Sequence, residues 1–346
     1  MIDAPELPPS TATVRRLPSR DSLPTVSVVV PVYNSAQTME ALVTRLEPVL
    51  VKIASAFEII LVNDGSRDAS ASVAADLAEQ HDFVRAVSLM RNYGQHNALL
   101  AGIRLARHEF IVTIDDDLQN PPEEIPRLLA RLGADCDVVY GVPANEQHGF
   151  LRDAASQITK ITLQGAMGAE TARNISAFRA FRSQLRVAFE SYRGSFVSID
   201  VLLTWATTRF AALTVRHDPR AAGASNYTLR KLIIHALNMM TGFSTLPLQL
   251  ASLTGFAFTF IGILVLIFVI GRYLIVGGSV PGFPFLASII TVFSGAQLFA
   301  LGIIGEYLAR VHFRMMDKPP YAIRDDSGSV PDAVGLDAIH GREFHG

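Results

Sequence analysis

Cysteine is almost missing from this chain: Cys136 is the one cysteine in 346 residues. That excludes an intramolecular disulfide and a cysteine-rich zinc site. An excess of one charge sign is missing too. Thirty Lys and Arg stand against 32 Asp and Glu, a net charge of −2, which leaves no electrostatic footprint for nucleic acid. No GxGxxG follows the first strand-like run and there is no Walker A lysine. A classical dinucleotide fold and a P-loop NTPase are therefore set aside. The first residues are acidic and proline-rich, without the basic and apolar regions of a signal peptide. Between residues 246 and 305 charge disappears almost entirely, with Arg272 the exception.

What is present is organised around Ile111-Val-Thr-Ile-Asp-Asp-Asp-Leu-Gln-Asn-Pro-Pro-Glu-Glu-Ile-Pro126. The run Phe110 to Ile114 is short and apolar on both faces, which predicts a buried strand. It ends in three carboxylates. Pro121 and Pro122 then open a helical segment with Glu123 and Glu124 in its first turn. Three acids at the end of a buried strand repel one another and lose solvation, so a cation sharing the site would stabilise them. Asp115 and Asp117, two apart, share a side in extended geometry. One or two carboxylates beside substrate phosphates suit Mg²⁺ or Mn²⁺. A solvated acidic loop, or an N-cap cluster for the next helix, is the plainer alternative.

Strand-like and helix-like segments alternate before it. Strands are expected at 26–32, 57–62, 84–89 and 110–114, and helices at about 35–50, 69–81 and 97–107. This alternation predicts a mostly parallel α/β sheet with helices on both faces. Ligands in such sheets bind outside the carboxyl ends of the strands. The polar clusters fall there: Tyr33-Asn34, Asn63-Asp64, Arg91 and Asp115 to Asp117. Further along, a strand is expected at 137–141, a helix at about 150–167, another strand within 174–181 and mixed helix over 182–208. Val215 to Tyr227 reads as a loop.

Leu248 to Leu274 and Phe283 to Ile304 each hold about the 20 apolar residues that cross a hydrocarbon core. The short link Val276 to Gly282 makes them a transmembrane hairpin. Arg230 and Lys231 precede the pair, and Arg310, Arg314 and Lys318 follow it. The link has neither lysine nor arginine, so the positive-inside rule puts both termini in the cytoplasm. The expected organisation is a disordered leader (1–24), an α/β domain (25–227), an amphipathic interfacial helix (228–246), two membrane helices (247–310) and a largely disordered tail (311–346).

Val29-Val-Pro-Val-Tyr-Asn34, Asn63-Asp-Gly-Ser-Arg-Asp68, Arg91-Asn-Tyr-Gly-Gln-His96 and the Asp115-Asp-Asp-Leu-Gln-Asn-Pro-Pro stretch resemble the inverting GT-A (family 2) glycosyltransferases. The hairpin followed by Gly305-Glu-Tyr-Leu-Ala-Arg310 is similar to their polyprenyl-phosphate branch, that of dolichyl-phosphate mannose synthase and the GtrB- and ArnC-type enzymes. The resemblance spans about residues 25–322. It implies a GT-A fold and transfer of a sugar from a nucleotide-diphosphate sugar, with uridine the expected base, to a polyprenyl phosphate at the bacterial inner membrane. It further implies that Pro31, Tyr33, Asp64, Arg91 and Asp115 bind the nucleotide. Asp117 and Gln119 would hold the divalent metal, Arg220 would clamp the donor diphosphate, and Arg152 and Ser156 would receive the lipid phosphate. Membrane lipids and further copies of the chain are the implied partners.

The chain departs from the pattern at three places. Asn63 replaces the first acid of Asp-Asp-Gly-Ser, Pro143 stands where arginine is common, and Arg173 to Arg179 lacks an upstream acid. No general base is assigned. Two alternatives stand beside this reading: a catalytically degenerate membrane scaffold that binds nucleotide sugars, and a polysaccharide synthase. The second would carry Gln-x-x-Arg-Trp, and Trp205 is not in that context.

Overall fold

The computed structural model describes residues 23–133, 135–143, 175–194, 197–218, 246–276, 282–316 and 318–328. The expected leader (but for Leu23 and Pro24), the 150–167 helix and the 228–246 amphipathic helix (but for Leu246) lie outside them.

Three valine- and isoleucine-rich runs form the parallel centre: β1 (Thr25–Val32), β2 (Ala56–Asn63) and β3 (Val84–Leu89). Between them run α1 (Met39–Ile53) and α2 (Ser70–Gln80). Met39, Leu42, Val43, Leu46 and Leu50 recur at helical spacing, and α1 buries that face. After β3 come α3 (Gln95–Leu105), β4 (Phe110–Thr113), α4 (Ile125–Arg131) and β5 (Val138–Pro143). Then follow β6 (Arg179–Arg182), α5 (Ile199–Ala206) and β7 (Phe210–Val215). The chain closes with two long helices, α6 (Leu246–Val276) and α7 (Phe283–Met315), and β8 (Ile323–Asp326).

The eight strands make one sheet in the order β7-β5-β6-β4-β1-β2-β3-β8. β4 pairs parallel with β1, on the side away from β2. The chain thus leaves β1 in one direction and returns on its other flank, which puts a topological switch point between β1 and β4. β6 runs antiparallel to β4 and β5. Each face is covered. One layer joins α3 and α5 to Val29, Ile60, Ile111 and Tyr140, and the other joins α1, α2 and α4 to Val28, Val30, Leu61 and Val112.

Two expectations are corrected here. The strand expected within 174–181 is Arg179–Arg182, because Ser176 Oγ accepts the Phe178 N–H and turns the chain just before it. Over 182–208 the helix is broken into a 3-10 segment, Ser183–Phe189, and α5, with an unexpected strand, β7, after it. The tail also differs from its expectation. Helix α7 runs on to Met315, and Ile323–Asp326 adds β8 antiparallel to β3. The sequence there has no apolar alternation because β8 is an edge strand held by backbone and charge.

The two long helices are 31 and 33 residues, or about 46 and 50 Å at 1.5 Å per residue. Leu248–Arg272 and Val292–Ala309 are long and apolar enough to cross a membrane. They pack on each other, with the Phe258 and Phe293 rings edge to face at 5.7 Å. Their outer surfaces, including Phe256, Leu264, Phe268 and Leu301, are exposed. Apolar area on that scale needs an apolar cover.

Candidate active site

Pro31 sits inside β1, buried, opposite Val62. A proline is costly in a central strand because it lacks an N–H. Here the cost is avoided. Ile114 N–H donates to the Val29 carbonyl at 3.2 Å, so residues 29 and 31 turn their polar groups toward β4. The β4 ladder ends opposite Val29, so Pro31 forfeits no rung. Tyr33 follows at the strand end and is 38% exposed, a large aromatic residue left open beside the site.

The turn after β1 is tied to the turn after β2. Asn34, at φ +56°, accepts the Arg67 N–H through Oδ1 at 2.8 Å and donates its own N–H to Ser66 Oγ at 3.0 Å. Asp68 accepts the Ala36 N–H and caps Ser70. Asn63, the departure from two acids, is buried and structural. Its Oδ1 accepts the Ser66 N–H and its amide donates to Ser88 Oγ.

Asp64 is 3% exposed. Its two oxygens accept the backbone N–H groups of Tyr93 and Gly94, at 2.7 and 2.8 Å. Burial pushes its carboxyl above the ordinary range, and those two N–H groups oppose the rise. Gly65, at φ +63°, lies so close to the next loop that a Cβ would stand 2.5 Å from the Arg91 carbonyl carbon and the Asn92 nitrogen. Arg91 is exposed, with its guanidinium 4.7 Å from the Tyr93 ring centroid.

At the acidic stretch the strand stops at Thr113, and Asp116 and Asp117 lie in a turn. Strand alternation therefore does not set the direction of Asp115 and Asp117, contrary to the extended-geometry expectation. Leu118 takes φ +61° to close the turn. The three acids have different partners. Asp115 accepts from Gln95 Nε2 on α3 at 2.7 Å. Asp116 accepts the Tyr33 N–H at 3.3 Å, which bridges the switch point between β1 and β4. Asp117 Oδ1 accepts the Gln119 N–H at 3.1 Å. Burial is the largest influence on Asp116 and raises its pKa, and the Asp117 charge adds to that. A cation beside these acids would relieve the same repulsion, so the donor set fits a divalent ion. Among the described residues no three metal-ligating side chains cluster.

Asp116 escaped the sequence reading because period-two logic favours its neighbours, and Gln95 because an uncharged side chain on a helix carries no signal. The structure also brings the chain after β7 to the acidic turn. The Asp218 N–H donates to the Gln119 carbonyl at 2.8 Å. Arg220 itself, Arg152 and Ser156 lie outside the described residues. Beneath the site, Arg179 on β6 is 1% exposed and pairs with Asp200 on α5, which also accepts from Tyr140 Oη at 3.0 Å. His96 Nδ1 accepts the Ile199 N–H at 3.3 Å and so ties the start of α5 to α3.

Residues 27–193 match the model of Glycosyl transferase family 2. An undecaprenyl-phosphate 4-deoxy-4-formamido-L-arabinose transferase of Serratia proteamaculans is 36% identical over 310 residues, covering 89% of this chain and 95% of that protein. A protein of the same name from Pseudomonas aeruginosa is 35% identical over 312 residues, covering 89% and 92%. Among solved structures, glucosyl-3-phosphoglycerate synthase of M. tuberculosis aligns with a TM-score of 0.46 at 18% identity, over 64% of this chain and 80% of that one.

Proposed function

The chain belongs to glycosyl transferase family 2 and is a glycosyltransferase, and from that premise we propose that it moves a sugar, with inversion, from a nucleoside-diphosphate sugar to undecaprenyl phosphate. The observation that carries this reading is the joining of two parts. Loops bearing Tyr33, Asp64, Arg91 and the Asp115–Asp117 turn meet at the carboxyl ends of adjacent strands. The same sheet continues through a long apolar hairpin and takes β8 back from its far end. Both ends of the hairpin thus connect to one sheet, which supports two membrane crossings with the catalytic domain and both termini on the cytoplasmic side.

In this mechanism Tyr33 and Arg91 border the nucleoside. Asp64 fixes the Tyr93–Gly94 backbone that walls it, and Asp115 faces the ribose side, oriented by Gln95. Asp117 and Gln119, with the diphosphate, would hold Mg²⁺ or Mn²⁺, which when bound neutralises charge growing on the leaving group. Arg220, two residues beyond the Asp218–Gln119 contact, adds positive charge there. An oxygen of the acceptor phosphate forms the new bond to the anomeric carbon. The bond to the diphosphate breaks, and its electron pair leaves with the nucleoside diphosphate. The acceptor is a phosphate monoester with a second pKa near ~6, so it arrives anionic and needs no strong base. Arg152 and Ser156 are assigned to its phosphate.

The test is transfer of label from a panel of nucleotide sugars to undecaprenyl phosphate by purified protein with Mg²⁺ or Mn²⁺. One donor should give an organic-extractable product. Asp117→Ala should reduce it by about a hundredfold or more, the scale of a lost electrostatic stabiliser, with folding unchanged. A lipid product made equally well by Asp117→Ala would sink the metal assignment. No lipid product from any donor would sink the reaction.

A further inference from the structure

The loop that walls the nucleoside side, Arg91 to Gly94, begins one residue after Met90. Met90 is 51% exposed, so burial gives it little hold. Its backbone is fixed instead, and from an unexpected direction. The Met90 N–H donates to the carbonyl of Ala322 at 2.9 Å, and the Met90 carbonyl accepts from Arg324 Nη2 at 2.9 Å. Both partners lie beyond the second long helix, more than 230 residues along the chain.

The direction of β8 matters. Leu89 pairs with Ile323 and Val87 with Asp326, antiparallel, with a register irregularity at Ser88 and Leu89. The chain arriving from α7 therefore reaches the carboxyl end of β3 first, the end that carries the site. The connection from Met316 to Ala322 is seven residues, a reach of at most about 25 Å. The strand is secured well away from the loop. Arg85 Nε and Nη2 bond the two Asp326 oxygens at 2.7 and 2.6 Å, with both side chains about nine-tenths buried. Ser327 exchanges hydrogen bonds with the Ala86 backbone. The Arg104 guanidinium lies 5.7 Å from the Tyr321 ring, which packs on the core.

We infer that Arg324 is a positioning residue for donor binding: β8, anchored through Asp326, holds Met90 and thereby sets the Arg91–Gly94 loop against Asp64. The inference rests on the proposed donor site. The physical route is short. Met90 fixes where the loop leaves β3. A few residues on, the Tyr93 and Gly94 N–H groups must meet the Asp64 carboxylate, and Gln95 must meet Asp115. Gly65 packs against the Arg91–Asn92 peptide with no spare room, so a displaced Met90 cannot be absorbed between them. The segment that leaves the membrane hairpin thus shapes the pocket for the soluble donor. An end of α7 pulled out of place would loosen that pocket.

The experiment uses the full-length protein in detergent, with Arg324→Ala, Arg324→Lys and Asp326→Asn. Uridine diphosphate alone is the binding probe, and hydrogen exchange is followed over residues 90–97. Arg324 is exposed, so its removal should leave the melting temperature unchanged. Arg324→Ala should weaken nucleotide binding about fivefold, the scale of one ordinary net hydrogen bond, as suits an exposed guanidinium, and speed exchange at Tyr93 and Gly94. Donor KM should rise while acceptor KM holds. Arg324→Lys, which keeps a donor, should recover most of the loss. Asp326→Asn should lower the melting temperature as well as loosen the loop. Wild-type exchange and affinity in Arg324→Ala would overturn the inference, and so would equal loss in Arg324→Lys. Failure of the wild-type protein to bind any nucleoside diphosphate would instead count against the donor site itself. The exchange comparison still decides whether β8 orders the loop.

Discussion

Gly94 donates its backbone N–H to Asp64 Oδ2 at 2.8 Å across 30 residues of sequence, while Tyr93 donates to the other oxygen. The Arg91–Gly94 loop is thereby hung on one buried carboxylate. Asp64→Asn tests this with the least change of shape. An asparagine presents one oxygen and one NH₂, so one of the two N–H groups would face another donor at hydrogen-bond distance. The expected cost is about 1–3 kcal/mol of stability, the penalty for a buried group left unmatched. Urea unfolding measures it. Donor affinity should fall in the same variant, and a variant as stable as wild type would show that the loop does not depend on this carboxylate.

Gly65→Ala probes the same junction from its other side. The backbone there is left-handed at φ +63°, which costs an alanine roughly 1–2 kcal/mol. The larger obstacle is the new Cβ, 2.5 Å from backbone atoms of Arg91 and Asn92. Backbone cannot rotate away as a side-chain tip can, so the Arg91–Gly94 loop must shift. The expected result is a folded protein with strongly impaired nucleotide binding, read by titration. Unimpaired binding would mean that the loop is not part of the donor site.

The centre of the sheet was legible because β1 and β2 are rich in valine and isoleucine and bounded by turn residues, and such runs survive as signal wherever both faces are buried. The edges were not. β7, Phe210 to Val215, is a short apolar run that periodicity alone does not tell from a helix segment, and the residues of β8 are mainly exposed and carry no hydrophobic pattern. Among site residues, Asp64 and the acidic turn stood out by charge at predicted strand ends. Their working partners did not, since backbone N–H groups of Tyr33, Tyr93 and Gly94 are invisible to residue type. Strand alternation was no guide to the directions of Asp115 and Asp117. The strand ends two residues before Asp115, and a left-handed Leu118 bends the chain just beyond Asp117.

Asp200→Ala addresses the buried support beneath the site. Arg179 is held by Asp200, and its ring neighbour Tyr140 lies 5.8 Å from the guanidinium. Burial and the Asp200 charge push the Tyr140 phenol well above its ordinary pKa, so it stays neutral and donates to Asp200. Removing Asp200 strands a guanidinium that is almost wholly buried. A loss of about 3–5 kcal/mol is expected, as for other buried pairs broken from one side. Tyr140→Phe removes one hydrogen bond and should cost about 1 kcal/mol. Equal losses in the two variants, measured by chemical denaturation, would contradict the assignment of Asp200 as the counter-charge.

The bond between Arg85 and Asp326 gives the protein a predictable acid sensitivity. Burial alone would raise the Asp326 pKa. The Arg85 hydrogen bonds, the Gly328 N–H and the charges of Arg85 and Arg107 outweigh it, and the carboxyl titrates below its ordinary value of 3.8. A depressed carboxylate contributes stability that is complete above the unfolded value and disappears as pH falls through the folded one. Wild-type protein should thus lose protection of β8 in acid, below pH 3.8, while remaining protected at neutral pH. In Asp326→Asn the charge is already gone. Its deficit relative to wild type should be largest near neutrality and should shrink as the pH drops below that value. Hydrogen exchange over residues 85–90 and 321–328, measured for both proteins across the acid range, reads the difference directly. A deficit that stays constant with pH would mean that the Arg85 contact does not depend on the charge of Asp326.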